Sequence, residues 1–134
     1  MWLTGSLTLT VGLFLCALYH RTTAEIVLTG MVVAVGTGVI QGTSNAMIVS
    51  VVGADDQAPA NGMSGMLGAV IAIQGLQLVF VVMSNQSNVM NGIAFYQHAA
   101  FTNGYYLLTA MAALGVLIST LMPRVERPAD ALAD

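Results

Sequence analysis

From residue 57 to residue 123 the chain carries no Asp, Glu, Lys or Arg, and the stretch 26–54 is equally bare. A surface facing water cannot be covered without charge, so a soluble domain is excluded and lipid becomes the solvent for most of the chain. Composition agrees: 7% of residues are charged and 57% hydrophobic, with a mean hydropathy of +0.82, where an ordinary soluble domain has about 25% charged residues.

Crossing about 30 Å of hydrocarbon takes about 20 helical residues. Four stretches meet this requirement: 2–18, which is slightly short, 26–52, 63–84 and 104–122. Trp2 and Tyr19 bracket the first in the manner of interfacial aromatics, and Tyr105 and Tyr106 open the fourth, which Pro123 closes. The charged residues fall between or after the stretches: Arg21 and Glu25, then Asp55 and Asp56, then Arg124, Glu126, Arg127, Asp130 and Asp134. The apolar runs are continuous rather than alternating, which excludes an outer-membrane barrel.

The expected fold is therefore an all-α membrane protein with four transmembrane helices in one segment, 1–128, followed by a disordered acidic tail, 129–134. The third connection, 85–103, is polar, and a short interfacial helix is expected over 93–101. His98 is read there as a solvated loop histidine. Arg124 and Arg127 outnumber Arg21, so the positive-inside rule places both termini in the cytoplasm and the chain in the cell membrane.

Several function classes fall away. A net charge of −3 gives no footprint for nucleic acid. The lone Cys16 has no cysteine partner for a disulfide and belongs to no metal-binding cluster, so no metal and no cofactor is expected. There is no Ser/His/Asp set, paired carboxylate or phosphate loop, so the chain is not read as an enzyme. A secretory signal peptide is disfavoured because Trp2 follows Met1 directly and the first Lys or Arg is Arg21.

Two features inside the spans carry information. The second span has a small residue at every fourth position, Gly30, Ala34, Gly38, Gly42 and Ala46, with a literal GxxxG at 38–42. Such a stripe lets helix backbones approach closely and is read as a packing surface. The third span has a similar small face at Ser64, Gly68, Ala72 and Gly75. Amides lie beside these faces: Gln41 and Asn45 on the second span, Gln74 and Gln77 on the third. An amide in hydrocarbon needs a partner or a water-filled cavity, and transporters bind substrate at this depth. These four residues are the candidates for a substrate pathway, with interhelical hydrogen bonding as the plainer alternative.

Taken together, Gly36-Thr-Gly38-Val-Ile-Gln-Gly42, Ala60-Asn-Gly62-Met-Ser-Gly65, the aromatic-rich loop before the last span and the ending Met122-Pro123-Arg124 resemble the carboxyl-terminal end of a major facilitator superfamily transporter, drug:proton antiporter branch with 14 spans. The resemblance implies that these are the last four helices of a larger bundle, as a fragment or a truncated reading frame, incompetent for transport alone. It implies efflux of small amphipathic molecules by the proton-coupled parent, whose coupling acids lie in earlier helices. Asp55-Asp56-Gln57 stands where that family often has a basic residue. Two other readings stay open. One is a stand-alone assembly or scaffold protein that binds partner helices through the small stripes. The other is a small multidrug-type transporter acting as a dimer, which resembles its class less because the first span lacks a carboxylate.

Overall fold

The computed structural model describes residues 1–85, 87–90 and 93–121, with the side chains of 87–90 and 93–95 left aside. Four helices carry the chain: α1 (Trp2–Leu18), α2 (Thr23–Val51), α3 (Gln57–Ser84) and α4 (His98–Leu121). A 3-10 turn, Ala54–Asp56, links α2 to α3, and a two-stranded antiparallel hairpin, β1 (Ser87–Met90) with β2 (Ile93–Tyr96), precedes α4. The fold is all-α and of membrane type: α2, α4 and α3 with its leading turn are long and apolar enough to cross a bilayer. At 17 residues, α1 is about 25 Å long, at the short end for a spanning helix.

In a membrane each backbone and hydroxyl group must find its partner locally. The run Thr4, Ser6, Thr8 and Thr10 looks strand-like in sequence, yet Thr8 Oγ1 donates to the Thr4 carbonyl and Thr10 Oγ1 to the Ser6 carbonyl, both at 2.8 Å. Thr29, Thr37 and Thr43 on α2 and Thr109 on α4 likewise donate to the carbonyl four residues earlier. This back-bonding makes threonine compatible with an apolar helix. The start of α2 is fixed by a capping box: Thr22 Oγ1 accepts from the Glu25 amide, and the Glu25 carboxylate accepts from the Thr22 amide at 3.1 Å.

Three expected helix starts move, α2 beginning at Thr23 rather than 26. Instead of starting at 63, α3 begins at Gln57, because Pro59 sits in its first turn, where the missing N–H costs nothing. Gln57 Nε2 also donates to the Val49 and Val52 carbonyls, both at 3.4 Å, satisfying the end of α2. Asp55 and Asp56 precede α3, where its dipole favours negative charge. The start of α4 is His98 rather than 104, so the short helix expected over 93–101 does not exist as such. Ile93–Tyr96 is a strand, Gln97 links it to α4, and 98–101 form the first turn of α4. The strand register pairs Met90 with Ile93, and the intervening sequence is Asn-Gly, the strongest two-residue hairpin signal. Pro123, Arg124, Arg127 and the tail 129–134 lie outside the described residues.

The helices form an open arc in the order α2, α1, α4, α3. The central α1 packs on both α2 and α4, α3 packs on α4, and α2 meets α3 only sparsely. The thin core follows α1: Gly5, Ser6, Gly12, Cys16 and Ala17 are buried, with Thr29 and Gly36 from α2 and Ala100 and Gly104 from α4. Phe14 meets Tyr106 across the α1–α4 seam at 6.4 Å between ring centres. Met83 of α3 is buried as well, while many large apolar side chains face outward, among them Leu28, Val35, Val70, Ile71 and Leu117. In lipid that arrangement carries no hydrophobic penalty, and close backbone packing holds the helices together.

Candidate functional site

The α1–α2 seam is made by glycines outside the predicted stripe. A Cβ on Gly36 would come within 2.5 Å of the Leu9 amide nitrogen, and one on Gly12 within 2.9 Å of the Val33 amide nitrogen. Gly5 faces Val39 and Ile40 in the same way. The α1 signal, Gly5 and Gly12 seven residues apart, is present in the sequence but hidden by the more regular α2 pattern.

Among the described residues, nothing packs on the stripe itself. A Cβ at Gly30, Gly38 or Gly42 would meet nothing within 4 Å, and Ala34 and Ala46 are exposed. At 100° per residue, Gly38 lies about 160° around α2 from Gly36, so the stripe is the face turned away from α1. On α3, Gly68 is also open, while Gly75 reaches only the Met111 methyl, at 3.8 Å.

Beside the stripe, α2 and α3 diverge from their connecting turn and leave a cleft of about 780 Å³. From α2 it is lined by Ile40, Gln41, Ser44 and Asn45. From α3 it is lined by Asn61, Ser64, Gly65, Gly68, Ala69 and Ala72. Two of the four predicted pathway amides, Gln41 and Asn45, therefore share one cavity with Gly68 and Ala72 of the predicted small face.

Gln74 and Gln77 do not line the cleft. They lie about 120° and 180° around α3 from Gly68, at 100° per residue. The face of α3 that lines the cleft continues toward its C-terminal end as the packing face against α4, where Val79 and Met83 meet Gly104. Sequence reasoning missed Ser44 and Asn61. The signal was available: Gln41, Ser44 and Asn45 follow i, i+3, i+4 spacing, and Asn61 stands one turn before Ser64.

Among the described residues, no Asp, Glu, Lys, Arg or His lines the cleft. Its polar groups are amides and hydroxyls, which can donate and accept in any orientation but offer no counter-charge. The cleft is therefore suited to an uncharged or weakly polar molecule held by hydrogen bonds between small, flat walls. Among the described residues no group of three His, Cys, Asp or Glu could hold a metal.

A second polar cluster, also missed, lies at the α1–α4 end. His98 is exposed, as expected, but it opens α4 rather than lying in a loop, and its ring stacks on His20 with centroids 4.2 Å apart and planes 25° apart. Tyr105 is tilted against His20 at 5.8 Å, and Thr102 Oγ1 lies 3.4 Å from His20 Nε2. The signal lay in topology, because in an up-and-down bundle the first and third connections share one side.

No protein-family model, curated protein or solved structure matches the chain.

Proposed function

We propose that the chain is part of a secondary active transporter of the cell membrane and contributes the α2–α3 cleft to a pathway for small amphipathic molecules. The observation that carries this reading is the cleft wall of Gln41, Ser44, Asn45, Asn61 and Ser64 in a part of the chain that is otherwise apolar. Polar side chains at this depth are costly unless they face protein or water, so they mark a pathway. The resemblance to the last four helices of a major facilitator bundle, of the drug:proton antiporter branch, points the same way. It assigns proton coupling to helices outside this chain and transport incompetence to the chain alone, and its cytoplasmic end for the last helix agrees with the arginine balance that puts both termini in the cytoplasm.

The partners under this reading are the bilayer, the remaining helices of the bundle and the transported molecule. The open face of α2, Gly30 to Ala46, is where a further helix would seat. That same open face favours a second reading, a membrane assembly protein that binds partner helices and transports nothing.

Efflux separates the two. Cells expressing the intact membrane protein should accumulate less of a neutral amphipathic dye than cells lacking it, and Gln41→Leu should raise accumulation. Equal accumulation in all three, with a helical partner still cross-linked through a cysteine at Gly38, would overturn the transporter reading in favour of assembly. Further apolar spans in frame upstream of Met1 would support the larger bundle.

A further inference from the structure

We propose that His20 and His98 form a proton-operated latch that holds the C-terminal end of α1 against the N-terminal end of α4. It is closed when both rings are neutral and opens as they take up protons. The inference concerns a different part of the molecule from the α2–α3 cleft and does not depend on what that cleft carries.

The hydrogen bonds around His20 fix its state when closed. Thr102 Oγ1 donates to the His98 carbonyl at 3.2 Å. The neutral tautomer that avoids a buried Nδ1–H with no acceptor is the one in which His20 Nε2 donates to Thr102 Oγ1, 3.4 Å away. Nδ1 is then the bare nitrogen of the neutral ring, and it is buried with no partner. A proton arriving at Nδ1 would create a buried N–H of a charged ring with no acceptor in reach. Burying such a group is unfavourable, so the charged ring leaves its site.

The stack supplies the second half of the switch. With centroids 4.2 Å apart, two charged rings would repel at contact distance. A proton on His98 also adds positive charge to the N-terminus of α4, where the helix dipole opposes it.

Among the described residues, no carboxylate is hydrogen-bonded or ion-paired to either ring. From α1 and its end come Cys16 and Tyr19, and from α4 comes Tyr105; none is a carboxylate. Arg21, next in the chain, adds a fixed positive charge. At the start of α2, Glu25 is engaged by the amides of Arg21 and Thr22. Packed against α4, α3 contains no Asp, Glu, Lys, Arg or His, and Asp55 and Asp56 precede its far end, about 40 Å away along the helix axis.

The test uses the full chain extracted from its membrane in mild detergent and placed in lipid nanodiscs, with Cys16→Ala and spin labels on Tyr19→Cys and Ala99→Cys. Imidazole changes charge between about pH 5 and 8, so distances are compared at pH 8 and pH 5.5. The latch predicts a short, narrow distance distribution at pH 8 that lengthens and broadens at pH 5.5, reversibly. His20→Phe together with His98→Phe keeps an aromatic stack without titration and should stay short at both. His98→Gln alone removes the ring-ring repulsion and should open less than the parent at pH 5.5. An unchanged distance in the parent, or a parent-like opening in either variant, overturns the proposal.

Discussion

A Cβ placed on Gly36 would lie 2.5 Å from the amide nitrogen of Leu9, so α1 and α2 touch backbone to backbone at this point. Two positions along the same helix, Gly38 faces open space. This contrast separates glycines that hold α1 against α2 from glycines that touch no described residue. Gly36→Ala should force the backbones apart, destabilising the α1–α2 pair by about 1–3 kcal/mol as overpacked sites do. Gly38→Ala should be neutral or stabilising by up to about 1 kcal/mol in the isolated chain, through helix propensity alone. Thermal unfolding in detergent, followed by far-ultraviolet circular dichroism, measures both.

Thr22→Ala removes the hydroxyl that accepts from the Glu25 amide. The expected loss is about 1 kcal/mol, the usual cost of an N-cap. Hydrogen exchange should show faster exchange confined to the first turn of α2, with the α3–α4 pair unchanged.

Gln41→Leu and Asn45→Leu each remove a cleft amide, whereas Gln77→Leu alters the opposite side of α3. A net hydrogen bond is worth about 0.5–1.5 kcal/mol, so each cleft change should weaken transport of a hydrogen-bonding substrate by roughly two- to tenfold. Gln77→Leu should leave substrate range unaltered. Dose–response curves for export of a panel of neutral amphipathic dyes from cells carrying the intact membrane protein give the comparison.

The class of fold was legible because charge marks the loops of a membrane chain, and α1 matches the expected 2–18 to the residue. Helix starts were less legible. Pro59, Thr102 and Asn103 look like loop residues, but the first turn of a helix tolerates proline and Thr102 satisfies its hydroxyl on the His98 carbonyl. The small-residue stripe on α2 was visible, but periodicity reports that a face exists and not which neighbour it meets. The seam with α1 uses Gly5, Gly12 and Gly36, which only three-dimensional proximity selects. For the same reason Gln41 and Asn45 were found together in the cleft while Gln74 and Gln77 were not, since rotation about α3 decides which amide faces α2. The His20–His98 stack joins residues 78 positions apart and could be anticipated only from the side of the bundle they share.

The central claim is that the α2–α3 cleft is a water-filled pathway for substrate, and cysteine accessibility in the intact protein tests it most directly. Ser64 lines the cleft, while Val70 is 56% exposed on the far side of α3. With Cys16 replaced by Ala, a charged thiosulfonate reagent should modify Ser64→Cys at least about tenfold faster than Val70→Cys, because thiolate formation needs water. Transported substrate should slow the reaction at position 64 only. Equally slow modification at both positions, indifferent to substrate, would contradict the account.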